Sequence, residues 1–268
     1  VAYLTQSYSS IVLLDLIASL LRKRDKIEMP KPDPIICSPM EPSHIAKEAA
    51  GRSIAEMVED GMVVGLGTGT TTARAIAHLG RRIVDEGLSI AGVPTSHQSM
   101  LLAVKHRVPL TTLYEHKIVD IALDGADQVD AHLNLIKGGG GAHTREKIVA
   151  RSARRFCVAV DASKLAPRLN LPVPLEVLPV ACPLVQNEVN QMGATVKLRQ
   201  SEKNSVSVTD QGNLILDADF GFVKDPEKLA KELSTITGVV EHGIFVEVSE
   251  VHVATLAGKA ASVEVLTR

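Results

Sequence analysis

The sequence predicts an α/β fold, a parallel sheet with helices on both faces, together with a smaller α+β domain. Three observations predict it. Between residues 62 and 161 short apolar runs alternate with stretches of helical spacing, the rhythm of strand–helix crossovers. Glycine- and aspartate-rich segments follow the ends of those runs, where parallel sheets gather their chemistry. Near Leu171–Pro174 the rhythm changes to closely spaced strands. The first pattern is Rossmann-like, and the second belongs to a separate unit.

Residues 1–40 read as an atypical N-terminal extension. The apolar run Ile11–Leu21 is interrupted by Asp15 and is too short to span a bilayer. Arg22-Lys23-Arg24 follow it rather than precede it. The acidic Asp15, Asp25, Glu28, Asp33 and Glu41 do not suit a transit peptide. Pro30, Pro32, Pro34, Pro39 and Pro42 mark an extended linker. We expect the working protein to start near Met40. The alternative is an amphipathic helix that packs on the domain.

Ser43 then caps an expected helix running to about Asp60. Met62–Leu66 is a buried strand and Thr70–Glu86 a helix. Ser89–Val93 and Ser96–His106 repeat the pair. Lys117–Leu123 is a strand, Thr144–Arg155 a helix and Phe156–Val160 a strand. The smaller unit begins with a strand at Leu175–Pro179, a helix at Pro183–Met192 and a strand at Ala194–Arg199. Ser205–Asp210 and Asn213–Asp217 flank Gln211-Gly212 as a hairpin, and Asp225–Ser234 is helical. Ile244–Val248, His252–Leu256 and Ser262–Leu266 are late strands. The expected boundaries are 41–170 with 246–268 for the sheet domain, and 171–245 for the smaller one, which we expect to serve oligomerisation.

Composition excludes some functions. Lys and Arg total 29 against 31 Asp and Glu, so no polybasic footprint for nucleic acid exists. No membrane partner is indicated. Trp is absent, which removes a carbohydrate platform of stacked indoles. Cys37, Cys157 and Cys182 form no C-x-x-C pair and suit a reducing, cytoplasmic setting, an organelle stroma included. Cys157 lies in an apolar run and reads as a buried, inert thiol. The nine histidines show no metal-ligand spacing, so neither metal nor cofactor is expected.

Four segments carry candidate chemistry. Gly65-Leu66-Gly67-Thr68-Gly69-Thr70-Thr71-Thr72 joins a strand to a helix, so its amides and the helix N-terminus suit a monophosphate. It lacks the Walker ending, and Thr70 stands where a dinucleotide fingerprint needs its third glycine. A tight turn is the other reading. Asp124-Gly125-Ala126-Asp127 places two carboxylates at the end of a strand, where mutual repulsion would raise the pKa of one. An ordinary Asp-Gly turn with a capping Asp127 explains the same residues. Lys137-Gly138-Gly139-Gly140-Gly141 is costly to order, by about 1 kcal/mol per glycine relative to alanine, and suggests backbone amides held close to a ligand. Glu146 follows in the next helix, as a general base or as a surface residue favoured by the helix dipole. Lys164, in Asp161-Ala162-Ser163-Lys164, and Lys47 are candidate contacts to a sugar phosphate.

These segments, with Val93-Pro94-Thr95-Ser96, Thr209–Asn213, Leu216-Asp217 and Gly238–Gly243, resemble ribose-5-phosphate isomerase type A in the right order from about residue 43 to the end. The resemblance implies an aldose–ketose isomerase of the non-oxidative pentose phosphate pathway, metal-independent and forming homodimers or homotetramers. It implies that Thr68, Gly69, Thr70, Thr71 and Lys47 hold the phosphate. Asp124 and Asp127 would contact the sugar and assist ring opening. Lys137 with the amides of Gly138, Gly139 and Gly140 would stabilise the oxyanion, Lys164 would bind substrate, and Glu146 would move the proton. Three departures stand out: Gln128 replaces the usual Glu, His143-Thr144 follows the glycines, and His97 stands where Phe is common. His143 and His97 are expected to titrate near neutrality. A sugar-phosphate-sensing module, a sugar-phosphate deaminase and a CoA-transferase-like enzyme are the rival readings.

Overall fold

The computed structural model describes residues 42–201, 205–258 and 260–268; the apolar run Ile11–Leu21, Cys37 and the expected start at Met40 lie outside them. Helix α1 spans Pro42–Ala55 and begins one residue before Ser43, at a proline whose missing N–H costs nothing in a first turn. It also stops short of Asp60. Arg82 Nη1 donates to the Ala55 and Val58 carbonyls at 2.9 and 2.7 Å, capping the chain as it leaves the helix.

β1 (Val63–Leu66), α2 (Thr70–Glu86), β2 (Ala91–Pro94) and α3 (His97–Lys105) follow in the expected order. Ser96 caps α3 by accepting the Ser99 amide at 3.0 Å. After β3 (Val119–Asp124) come two short strands that periodicity could not show, β4 (Gln128–Val129) and β5 (Leu135–Ile136). Helix α4 (His143–Arg151) ends four residues before Arg155, because β6 (Ala153–Asp161) starts pairing with β3 already at Ala153↔Val119. Strand pairing here overrides helical spacing.

The central sheet has the order β13-β12-β6-β3-β1-β2, where β12 is Glu250–Ala257 and β13 is Ala260–Thr267. All neighbours are parallel except the β12–β13 hairpin at one edge. Successive residues point to opposite faces. Val64, Leu66, Ile121, Leu123 and Cys157 pack under α1, α2 and α3. Val63, Ala122, Phe156, Val158 and Val160 face α4, which inserts Val149 there.

A second sheet, β10-β7-β9-β8, is antiparallel: β7 (Val173–Val177), β8 (Thr195–Leu198), β9 (Leu214–Asp219) and β10 (Val239–His242). Helices α5 (Cys182–Gln191) and α6 (Pro226–Ser234) bury Val185, Val189 and Leu233 against it. The expected strand Ser205–Asp210 is reduced to isolated bridges, because β9 spends its hydrogen bonds on β7 and β8. Late strand Ile244–Val248 shortens to β11, Ile244–Phe245. It pairs with β5, and β5 with β4. This small ribbon sends Leu135 and Phe245 into the core that faces α4 and Ile136 and Ile244 into the core of the second sheet. Both ends of the ribbon are thus anchored by apolar burial, and Lys137 follows directly. Among the described residues no helix is long and apolar enough to cross a membrane.

Candidate active site

Two strands and one helix deliver the central side chains. Asp124 ends β3, Lys137 follows β5, and Glu146 lies in the first turn of α4. Lys137 Nζ sits 3.0 Å from Asp124 Oδ2 and 3.1 Å from Glu146 Oε2, and donates to the Gly125 carbonyl at 2.6 Å. All three side chains are 3–5% exposed. In the usual surface role Glu146 would face water. Instead its Oε2 is buried with no hydrogen-bond partner beyond the nearby ammonium.

Burial dominates the electrostatics. It disfavours the charge on Glu146, Asp124 adds repulsion, and the carboxyl is pushed up to about 8 despite the pull of Lys137. Burial raises Asp124 as well, against the same ammonium. For Lys137 burial works against the charge, but two flanking carboxylates overcome it and hold the amine well above its usual range. The three groups titrate as one cluster. The carboxylate coupled to Asp124 is therefore Glu146, not Asp127 as the Asp-Gly-Ala-Asp spacing suggested. Asp127 turns away to accept the Gly139 amide at 2.7 Å.

Close approach makes this possible. A Cβ on Gly67 would lie 2.2 Å from the Asp124 carboxylate, so any larger residue would expel it. With the glycine in place, Asp124 Oδ1 accepts the Thr68 and Gly125 amides at 3.1 and 2.8 Å. Gly138 takes φ +109°, and a side chain there would strike His143 Nδ1 at 2.7 Å.

A cleft of about 290 Å³ opens above this cluster. Thr68, Gly69, Thr70 and Thr71 line it at the N-terminus of α2, with Lys47 from α1 and Lys164 from the short turn after β6. Asp127, Lys137, Glu146 and the Gly138, Gly139 and Gly140 backbone complete the wall. Asp124 lies beneath, bonded to Lys137. The structure thus brings every singled-out site residue into one place. The N-terminal amides of α2, its dipole and the two lysines give the lining groups that suit an anion.

Sequence reading gave no role to several neighbours, although Thr95 and Ser96 belong to a segment it singled out. Gln98 lines the cleft, and Thr95 and Ser96 fix the Thr68 hydroxyl at 2.9 and 2.7 Å. Phe245 presents its ring 5.5 Å from Lys137 Nζ. No spacing rule links Phe245 to residue 137; only the β5–β11 pairing does.

The three departures are placed too. Gln128 leaves the cleft alone, donating to Asn170 Oδ1 at 2.6 Å and accepting the Asn170 amide at 2.7 Å. His143 is fully buried beside the glycine loop. Burial, with Lys147 nearby, pushes it down to about 3, so it stays neutral rather than titrating near neutrality. His97 is exposed and sits 3.3 Å from Asp210, outside the cleft lining. Cys157 is buried, and burial raises its thiol.

Known proteins share this sequence and fold. The family described as ribose 5-phosphate isomerase A (phosphoriboisomerase A) matches residues 91–259. The ribose-5-phosphate isomerase A of Methanosarcina acetivorans is 51% identical over 223 residues, 83% of this chain and 94% of that protein. The solved ribose 5-phosphate isomerase A of Methanocaldococcus jannaschii is 43% identical with a TM-score of 0.78, over 83% of this chain and 98% of that one. A D-ribose-5-phosphate isomerase solved with phospho-erythronic acid is 42% identical with a TM-score of 0.79, over the same shares.

Proposed function

The chain belongs to the ribose 5-phosphate isomerase A family and interconverts ribose 5-phosphate and ribulose 5-phosphate; we propose that Glu146 is the base that moves the proton between C1 and C2. The observation that carries this reading is one buried ammonium, Lys137, held between Glu146 and Asp124 on the floor of a cleft with lining groups that suit an anion.

The roles follow from position. The substrate phosphate sits on the Thr68–Thr71 amides and hydroxyls, with Lys47 and Lys164 supplying charge. That anchors the sugar with C1 and C2 toward Glu146. Asp127, which lines the cleft, meets the ring oxygen and assists opening, whereas Asp124 lies beneath and acts through Lys137 rather than by touching the sugar. Glu146 takes the C2 proton of the aldose, and the carbonyl oxygen gains charge as the enediolate forms. Lys137 and the glycine-loop amides other than Gly139, which Asp127 holds, stabilise that charge. Returning the proton to C1 while the hydroxyl proton on O2 passes to O1 gives the ketose and restores Glu146. A base poised near 8 is well matched to this task, since a weaker base would leave the C–H proton in place.

The test is turnover of ribose 5-phosphate with EDTA present, run beside Glu146→Gln. Activity in the unaltered protein alone supports the assignment. Binding without turnover would instead support the sensing module.

Two further predictions arise here. Thr71→Ala should raise KM several-fold, on the order of a lost charge-assisted hydrogen bond, with kcat nearly kept. An unchanged KM would remove Thr71 from the phosphate site. The pH profile of kcat/KM should rise through a limb near 8 as Glu146 loses its proton in the free enzyme. Asp124→Asn removes the repulsion that lifts Glu146, so the limb should move to lower pH. A limb that stays in place would exclude Asp124 as a cause.

The reading includes a homodimer or homotetramer in the cytoplasm. Leu178, Val180, Leu184 and Val240 expose an apolar surface around the second sheet, which supports association. Cys157 and Cys182 form no disulfide, which supports a reducing compartment.

A further inference from the structure

Arg199 follows β8 and does not line the cleft that holds Glu146. It lines a neighbouring cavity of about 590 Å³, and Gly139 and Gly140 line both. The glycine loop is therefore the shared wall, and Arg199 grips it from behind. Its Nη1 donates to the Gly138 carbonyl at 2.7 Å and to the Gly139 carbonyl at 3.1 Å. The other edge of the guanidinium is occupied by Asp217 of β9: Nε donates to Oδ2 at 2.9 Å and Nη2 to Oδ1. The fork is thus fixed before it meets the loop.

A trans peptide carries its C=O and N–H on opposite edges. Holding the Gly138 carbonyl on the Arg199 side turns the Gly139 N–H away, and it is found on Asp127 at 2.7 Å. Holding the Gly139 carbonyl likewise turns the Gly140 N–H away from Arg199, toward the cleft that Gly140 also lines. Glycine peptides have little intrinsic preference against turning over, because no Cβ blocks either orientation. The Gly139 contact is exposed, so water could satisfy that carbonyl as well. Water would not give it a fixed direction.

We propose that Arg199, braced by Asp217, is a positioning residue for the isomerisation: the Gly138–Gly139 peptide is also held by Gly141 and Asp127, but Arg199 sets the Gly139–Gly140 peptide so that the Gly140 amide is aimed before the oxyanion forms. The proposal rests on the reading of this loop as the oxyanion site. Preorganised donors are worth far more than donors that must reorient during the reaction.

The experiment compares Arg199→Met and Asp217→Asn with the unaltered enzyme. Folding is checked by circular dichroism. Arg199→Met should lose about 10- to 100-fold in kcat, with KM for ribose 5-phosphate within about threefold. Its affinity for phospho-erythronic acid, whose carboxylate would carry negative charge where the oxyanion of this reading forms, should fall alongside kcat/KM. Its affinity for inorganic phosphate should not change. Asp217→Asn should show the same pattern with a smaller loss, and it carries the test alone should Arg199→Met not fold.

A folded variant with kcat and phospho-erythronic acid affinity within about twofold of the starting values would overturn the proposal. So would a loss appearing wholly in KM or equally in phosphate affinity, which a general loosening of the cleft would produce. Glu146→Gln is measured alongside. Retained turnover there removes the base assignment whatever Arg199 does. An inactive Glu146→Gln beside an unchanged Arg199→Met removes only the positioning role.

Discussion

Replacing Glu146 by Gln should lower kcat by at least about 100-fold with little change in KM, the usual effect of removing a general base. The change is nearly isosteric. The amide oxygen can still accept from Lys137, now at 3.1 Å from Oε2, so the floor of the cleft need not collapse. What disappears is the ability to take a proton. Because Glu146 touches neither Lys47 nor the Thr68–Thr71 turn in any hydrogen bond described, phosphate binding and hence KM should persist. A variant turning over within about tenfold of the unaltered enzyme would place the base elsewhere in the cleft.

Replacing Lys137 by Met should act twice. Loss of a preorganised cation at the oxyanion costs about 3–4 kcal/mol in the transition state, or roughly 10²–10³ in kcat. The second effect falls on stability. Asp124 and Glu146 would remain buried without their shared ammonium, and breaking a buried ion pair costs about 3–5 kcal/mol. The sign with pH is definite. Both carboxyls already have folded pKa values raised by burial, and losing Lys137 raises them further. An acid whose folded pKa exceeds its unfolded value loses stability as pH climbs from the unfolded toward the folded pKa. The melting temperature of Lys137→Met should therefore fall furthest below that of the unaltered enzyme as pH rises past about 8, where Glu146 ionises only beside Lys137, and the gap should narrow toward pH 5. A gap that is constant across this range would mean that the two carboxylates do not depend on Lys137.

Much of the central sheet was legible in the chain. Helix α2 falls on Thr70–Glu86 as its spacing indicated, because the helix is long, ends at Gly87 and hides one clear apolar face. The strands before each motif were legible because a central parallel strand is apolar on both faces. The two-residue strands β4 and β5 were not, since two residues have no period. Nor was the end of α4, where residues 153–155 have helical spacing but are claimed by β3.

Within the cleft the division is similar. The glycine turn, the Asp124 segment and the tetraglycine loop each announce themselves through composition, because tight backbone approach leaves few residue choices. His143 shows the limit. As a free imidazole it would titrate near neutrality, and only burial beside Lys147 keeps it neutral. Arg199 shows the same limit from the other side, since nothing near it in the chain distinguishes it from a solvated arginine.

The sequence by itself determined the order of the longer strands and helices of the central sheet, the Gly- and Thr-rich turn, and the identity of the groups that gather in the cleft. These depend on local backbone freedom and on hydrophobic period, which are properties of neighbouring residues. Only the tertiary structure decided that Lys137 lies between Asp124 and Glu146, that Asp127 turns to Gly139, and that Arg199 grips the loop from behind. Those pairings join residues 13, 9, 12 or 61 positions apart through separate elements. Charge, pKa and peptide direction depend on what each group meets in space, and that is set when the two cores close around the β4–β5–β11 ribbon.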